Sequence, residues 1–444
     1  MDRSVLLLAL SGVRIHDREL LDLGMSLPGF AERGATIAAL PSLGLLTLAG
    51  CTPADWLPEY REIDRIDDEA VERIVLARPD LVAISALGAR IFEAYRLADR
   101  LRAEGIRVVL GGLHVSALPD EAAAHADAVV VGEAESSWPE LLRDAAAGRL
   151  RPKYEARAFP LVSLADAPLP RYDLVDPART GRLTLQTTRG CPLHCTFCAA
   201  SRTISPFKLK PIPQVRRELE ALLAVRPDPF VELADDNTFV NQAWSRELVR
   251  LFSEYSLRWF TETDISVADD DELLDLLAES RCAQLLIGFE SARPESLRGI
   301  DTANWKYGQF ESYVRKIEKI QSRGISVDGC FVLGFDADDA STFEATRTFV
   351  RESGLTEVQV TLLTPFPGTD LYRELRRQGR LLEEVFWDRC TLFDVTFRPA
   401  RMSPEDLRTA YLDLVRDLYS PAETEARRRR ARAMRRAAWR ERGA

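Results

Sequence analysis

Along residues 1–150, short apolar runs alternate with stretches in which apolar positions recur every three or four residues. "SVLLLAL" (4–10), "LVAIS" (81–85), "RVVLGG" (107–112) and "AVVVGE" (128–133) are nearly continuous in apolarity, the pattern of strands buried on both faces. Between them, "DDEAVERIVLARP" (67–79), "RIFEAYRLADRLRAEG" (90–105) and "SSWPELLRDAAAG" (136–148) have helical periodicity, with acidic or serine residues near their starts and glycine or proline at their stops. The alternation predicts an α/β domain over 1–150 built on a doubly wound parallel sheet. Ligands of such sheets sit beyond the carboxyl ends of the strands, which points to the loops after Ile84, Leu110 and Val131.

From 151 to 180 the periodicity stops and Pro152, Pro160, Pro168, Pro170 and Pro177 punctuate the chain, which predicts an extended linker. A second series follows: "LTLQTT" (183–188), "FVELAD" (230–235), "RWFTETDIS" (258–266), "AQLLIGFES" (283–291), "VDGCFVLGF" (327–335) and "EVQVTLLTPF" (357–366), separated by helical segments such as "QVRRELEALLAV" (214–225) and "DDELLDLLAES" (270–280). Six such units predict a partial (β/α)6 barrel over 181–375, with function at the carboxyl-terminal strand ends. Residues 376–444 read as a helical extension without a strong repeat.

Composition agrees: 444 residues, 46% apolar and 29% charged, suit two or three folded domains. The net charge of −10 is unevenly spread, because residues 425–444 hold nine arginines (427–430, 432, 435, 436, 440 and 442) against Glu425 and Glu441. That tail is about +7 and the rest about −17. An acidic body argues against nucleic acid as a bulk partner, and the tail reads as a solvated helix end. No apolar stretch approaches the ~20 residues that span a bilayer. "SVLLLAL" lacks the basic lead and cleavage site of a signal peptide. Of seven cysteines, Cys51, Cys282, Cys330 and Cys390 stand alone, so there is no disulfide framework, and a reducing cytoplasm is the expected compartment.

The other three crowd into "GCPLHCTFC" (190–198), in a C-x3-C-x2-C loop after the first strand of the second series. Such a loop can hold zinc, an iron–sulfur cluster or nothing. Three buried thiols alone leave Gly190, Pro192 and His194 without a reason. Structural zinc wants four closed ligands, and His194, adjacent to Cys195, would have to fold back to serve. A four-iron cubane takes three thiolates at three corners and leaves the fourth iron open.

Cys191, Cys195 and Cys198, with aromatic Phe197 before the last, resemble the signature loop of the radical S-adenosylmethionine (SAM) superfamily, at the strand end where that family carries it. The resemblance implies a 4Fe-4S cluster whose open iron chelates SAM, and reductive cleavage of SAM to a 5′-deoxyadenosyl radical. It also implies SAM contacts at Asp235 and Asp236 in "LADDN" (233–237), at Glu262 in "TETD", and at Glu290 and Ser291 in "GFES". Gly334 in "GCFVLGFD" and Pro365 in "TPFPGTDLY" complete that set.

The first domain has no G-x-G-x-x-G after its first strand, so a dinucleotide site has little support. Ser85 and Leu87 instead resemble the S-x-L element of cobalamin-binding domains, with flavodoxin- or Rossmann-like folds, and Gly111 and Gly112 their later G-G element. "GGLHVSALPDE" (111–121) with His114, "VVGEAE" (130–135) with Gly132 and Glu133, and "PSLGLLTLA" (41–49) are similar to stretches of cobalamin-dependent radical SAM proteins. The D-x-H-x-x-G motif that supplies an axial histidine is missing, although His16 lies in that region. The resemblance to the cobalamin-dependent radical SAM proteins implies cobalamin without a histidine ligand.

Together these resemblances imply a cobalamin-dependent radical SAM methyltransferase of the class B type. It would methylate an unactivated carbon or phosphorus centre of a small molecule, a natural-product or lipid intermediate among them, with electrons from a flavodoxin or ferredoxin. A cobalamin-dependent cyclase or ring-rearranging enzyme is one alternative, and a cluster-carrying redox or binding protein without turnover is another. A methylthiotransferase needs three more clustered cysteines in its first domain, where Cys51 stands alone; a SPASM-type auxiliary cluster fails because only Cys390 follows the barrel.

Overall fold

The computed structural model describes residues 3–10, 15–26, 40–176, 180, 182–199, 204–301 and 303–442. Pro177 of the predicted linker, and residues 11–14 between the first strand and His16, lie outside the described residues. The chain forms two compact units. Unit 1 is Met1–Arg14, Thr36–Leu185 and Ala199–Pro227; unit 2 is Ile15–Ala35, Gln186–Cys198 and Asp228–Ala444.

Unit 1 carries a parallel sheet of β1 (Arg3–Leu10), β2 (Trp56–Glu62), β3 (Leu81–Ala86), β4 (Val108–Gly111), β5 (Ala128–Val131) and β6 (Lys153–Glu155), in the order β2-β1-β3-β4-β5-β6. The first five places match the flavodoxin-like order, whose switch point lies between β1 and β3. β1 lies inside the sheet between β2 and β3, and Val5–Leu10 are almost wholly buried, as a run apolar on both faces requires. The pattern predicted four of these strands and missed two. β2 contains Pro58 and alternates half-exposed polar positions, which only an edge strand tolerates. β6 has three residues, of which only Tyr154 is buried, too short to register as a period.

β6 lies inside the stretch expected to be a linker, and the rest of that stretch also packs on unit 1. Arg171 N donates to Leu46 O at 3.0 Å, and Gln214 Nε2 donates to Ala167 O at 2.9 Å. Gly50 is required here, because a Cβ would lie 2.2 Å from Leu169 O. The prolines leave the segment without regular periodicity while its carbonyls and side chains are held.

The second sheet runs in sequence order from β7 (Leu183–Leu185) through β8 (Phe230–Leu233), β9 (Arg258–Thr263), β10 (Cys282–Glu290) and β11 (Ser326–Leu333) to β12 (Glu357–Leu362). The pairs from β8 to β12 are parallel, as six consecutive βα units predict. Side chains alternate along each strand. Leu285, Ile287 and Phe289 of β10 are fully buried, and Phe289 packs on Tyr313 and Phe349 of the covering helices Tyr313–Ser322 and Ala340–Glu352. Gln284, Leu286 and Gly288 on the other face are only half-buried.

The arginine-rich tail forms the helix Pro421–Arg442, but it is not a solvated end. Thr424, Arg427, Ala431 and Ala438, at helical spacing, are buried. Arg430 Nη1 donates to Leu355 O at 3.2 Å and Arg435 Nη2 to Ser326 Oγ at 2.8 Å, so the tail clasps the amino-terminal strand edge. Among the described residues, no helix is long and apolar enough to cross a membrane.

Candidate functional site

The cysteine loop follows β7 and is held in place by three neighbouring segments. Asp235, just past β8, is fully buried; it accepts from Thr187 N at 2.7 Å, Thr188 N at 2.9 Å and Thr238 Oγ1 at 3.0 Å, and also from Thr187 Oγ1. Burial raises its pKa, and these donors pull it back. Gly190 makes the turn into the loop with φ +85°, a conformation glycine adopts without strain. Cys195 forms an isolated antiparallel bridge with Asp301. Thr196 N donates to Ile300 O at 2.8 Å, and Leu371 N donates to Thr196 O at 3.0 Å.

The three thiols sit in different surroundings. Cys191 is half-buried; burial raises its pKa, while the Leu193 backbone N–H and the Asn237 side chain lower it. Cys195 is buried and pushed up to about 12, first by burial, then against the pull of the Lys306 ammonium, with Glu290, Cys198 and Cys191 adding negative charge. Phe197 meets Phe335 edge-on at 5.5 Å.

At the end of β10, Glu290 stands at φ +64°, strained for a residue with a side chain. Its Oε1 accepts from Lys306 Nζ at 2.8 Å, and the same ammonium donates to Gly288 O at 2.7 Å. Burial pulls Lys306 down, but Glu290, by charge and hydrogen bond, together with the charges of Cys195 and Tyr313 holds the lysine above its ordinary value. Ser291 is buried, and its Oγ accepts from Arg293 N at 3.1 Å. Gly334 has φ +112°, and a Cβ there would lie 3.2 Å from Phe397 and 3.3 Å from Leu407, so packing alone asks for glycine. Pro365 is buried, Glu262 exposed and Asp236 half-buried.

In unit 1 the residues expected to hold a corrinoid share one rim. Ser85 of β3 pairs in register with Gly111 of β4. Gly112 has φ +108°, and a Cβ on it would lie 3.2 Å from Ser85 Oγ. Leu87 is 44% exposed, a large apolar side chain open to the rim. His114 is buried, its Nε2 3.3 Å from Glu121 Oε1. Gly132 N donates to Ser116 Oγ at 2.9 Å. Glu133 is paired with Lys208 at 2.6 Å and accepts from Ser205 Oγ. His16 belongs to unit 2, 3.8 Å from Asp388 Oδ2.

Three family models match the chain: the B12 binding domain over residues 38–142, the Radical SAM superfamily over 185–350, and a domain of unknown function (DUF4070) over 369–442. The chain carries a B12-binding domain and a radical SAM domain. It is homologous to methyltransferases of this kind. It is 29% identical over 397 residues to bacteriochlorophyllide d C-12(1)-methyltransferase of Chlorobaculum tepidum, covering 87% of this chain and 84% of the relative. It is 28% identical over 362 residues to the C-8(2)-methyltransferase of the same organism, covering 78% and 79%. Its fold matches the radical SAM methyltransferase TsrM of Kitasatospora setae with TM-score 0.67 at 18% identity, over 95% of this chain and 90% of that one.

The residues of this chain fit the groups its domains imply. The thiols of Cys191 and Cys198 act electrostatically on that of Cys195, so the three share one neighbourhood. Among the described residues no three His, Cys, Asp or Glu side chains close on a single ion; a four-iron cluster instead takes each thiolate on a separate iron. In the B12-binding domain nothing in the chain itself asks for glycine at 111, since its φ is ordinary and a Cβ would meet nothing nearer than Val130 at 3.8 Å. A bare rim position of that kind suits close approach of a ligand.

Two of the expected site carboxylates are engaged within the chain. Asp235 spends its oxygens on the segment entering the cysteine loop, and Glu133 on Lys208. Three more were missed: Asn237, whose side chain lowers the pKa of Cys191; Lys306, whose charge acts on Cys195; and Asp301, whose carboxylate caps Trp305 N at 2.8 Å and Lys306 N at 3.2 Å. Asn237 adjoins the "LADD" run and was within reach of the motif; nothing in the sequence around Asp301 and Lys306 marks them.

Proposed function

We propose that this protein is a cobalamin-dependent radical SAM methyltransferase, acting in the cytoplasm on an unactivated carbon or phosphorus centre of a small molecule, with one-electron reduction supplied by a flavodoxin or ferredoxin. The observation that carries the reading is the three-thiol loop at the carboxyl end of β7 in a chain that also bears the glycine rim of a B12-binding domain and aligns along most of its length with methyltransferases. When bound, a 4Fe-4S cluster with SAM supplies a 5′-deoxyadenosyl radical, and cobalamin carries the methyl group.

The chain's own share is holding and orienting. Cys191, Cys195 and Cys198 would hold the cluster. Asp235 fixes the backbone that delivers them, and the Asn237 side chain favours the thiolate of Cys191. Asp236 would meet the SAM amino group by a charge-assisted bond, and Glu290 would face the ribose hydroxyls or the methionine carboxylate. Ser85, Gly111 and Gly112 would admit the nucleotide tail of cobalamin, with Leu87 on the same rim.

The test is anaerobic reconstitution of the full chain with iron, sulfide and cobalamin, then incubation with a one-electron donor, trideuteromethyl-labelled SAM and a small-molecule extract. Mass spectrometry should detect both 5′-deoxyadenosine and S-adenosylhomocysteine, and the label in a product. 5′-Deoxyadenosine without transferred label would move the assignment to a cyclase or ring-rearranging enzyme. Neither product would leave a cluster-carrying protein without turnover.

A further inference from the structure

Several local features converge on one ammonium group. Lys306 is 5% exposed, and its Nζ lies 2.7 Å from Gly288 O and 2.8 Å from Glu290 Oε1. Glu290 reaches it from a left-handed backbone position at φ +64°. A Cβ on Gly288 would fall 2.3 Å from Glu290 Oε1, so that carboxylate lies where any other residue would put its side chain. Asp301 caps the backbone of Ala303, Trp305 and Lys306 while its own strand segment bridges Cys195. Thr196 N donates to Ile300 O at 2.8 Å, so the cysteine and the lysine belong to one hydrogen-bonded piece of structure. Of the two charges in the pair, the ammonium acts more strongly on Cys195 than the carboxylate does.

We infer that the Lys306 ammonium sets the reduction potential of the cluster held by Cys191, Cys195 and Cys198, keeping it higher than the three thiolates alone would. The inference rests on the radical SAM reading of the cysteine loop. One-electron reduction from an external donor adds one negative charge to the cluster and breaks no bond. A fixed cation buried beside one of its thiolates favours the more negative form, and low local polarity strengthens that attraction. Lys306 thereby brings the cluster within reach of its donor.

The experiment is a redox titration of the reconstituted full chain without SAM, following the reduced cluster by electron paramagnetic resonance. Omitting SAM removes any effect of Lys306 on cosubstrate. Lys306→Met should lower the ratio of reduced to oxidised cluster about tenfold at a fixed potential, a downward move of about 59 mV for one electron. Lys306→Arg should restore most of it, and Glu290→Gln, which leaves the ammonium unopposed, should move the midpoint up. A loaded Lys306→Met chain with the wild-type midpoint overturns the inference. Should that variant hold no cluster, Glu290→Gln decides: an upward move supports the inference, and an unchanged or lower midpoint overturns it. A wild-type chain that assembles no cluster would instead overturn the radical SAM reading beneath it.

Discussion

The rim of unit 1 and the cysteine loop of unit 2 both lie at the carboxyl ends of parallel strands, yet they are built by opposite means. The unit 1 rim is made by leaving side chains out: Gly111, Gly112 and Gly132 with Ser85 keep it bare, and Gly112 and Gly132 use φ of +108° and +83° that only glycine adopts freely. The cysteine loop is made by adding buried charge. Asp235, Glu290, Lys306 and Asp301 are each 9% exposed or less, and each is tied to backbone or to an opposite charge. A bare rim suits a large ligand that brings its own surface. A charged, braced loop suits a cluster whose position and electronics the protein must set.

The contrast can be broken most forcefully at the thiols. Cys191→Ala, Cys195→Ala or Cys198→Ala should each abolish cluster assembly and 5′-deoxyadenosine formation while leaving cobalamin binding to the glycine rim intact; iron content and corrinoid absorption of one sample check both. If cobalamin binding falls with the iron, the two rims are not independent.

Next in size is Asp235→Ala. It strands buried donors from Thr187, Thr188 and Thr238 that now meet a carboxylate. Bonds to a charged acceptor contribute about 1.5–3 kcal/mol each, and water can replace only part of them, so urea unfolding should report a loss of about 3 kcal/mol together with poor cluster loading. Gly112→Ala probes the other rim. Its φ of +108° with ψ of −174° is a conformation essentially confined to glycine and costs about 1–3 kcal/mol for a residue with a side chain, and its Cβ would crowd Ser85 Oγ at 3.2 Å. Cobalamin affinity should drop while iron content stays at the wild-type level.

A smaller effect is expected from pH. In the cluster-free protein Cys195 is raised from 9.0 to about 12, chiefly by burial. The folded state therefore holds its thiol proton more tightly than the unfolded chain, and stability from this group is present below about pH 9 and lost as pH rises toward 12. Cluster assembly must expel that proton, so its rate, followed by visible absorption, should rise with pH between 7 and 9. Cys195→Ser should lose the dependence along with the cluster. Smallest of all, Arg429→Ala on the exposed face of the last helix should change stability by less than about 0.5 kcal/mol. Arg435→Ala, which removes the bond to Ser326 Oγ at 2.8 Å, should cost about 1 kcal/mol by thermal unfolding.

Legibility in the sequence followed the same divide. The glycine rim could be read because an omitted side chain is visible in the letters, and the thiols because three ligands lie within eight residues. Four strands of unit 1 were marked by nearly continuous apolar runs, and the six of the second sheet by apolar-rich segments that alternate with helical ones. β2 was hidden by Pro58 and by a polar face that an edge strand is free to keep, and β6 by its length. The tail misled because an arginine run reads as solvated. Arg427 nonetheless packs with its guanidinium carbon 6.0 Å from the centre of the Tyr419 ring, and burial lowers its pKa.

By itself, the order of residues determined the two α/β series, the loop that gathers three thiols, and the small residues at the first rim, since each depends on neighbours near in sequence or on the simple absence of a side chain. Tertiary structure decided which carboxylates and which lysine serve the loop. Asp235 reaches back 48 residues to Thr187, Glu290 reaches forward 16 to Lys306, and Asp301 pairs across more than a hundred residues with Cys195. A buried charge is tolerated only where an opposite charge or several donors meet it, and parallel strands make such meetings between residues distant in sequence. The letters "GCPLHCTFC" name the ligands; the fold supplies the charges around them.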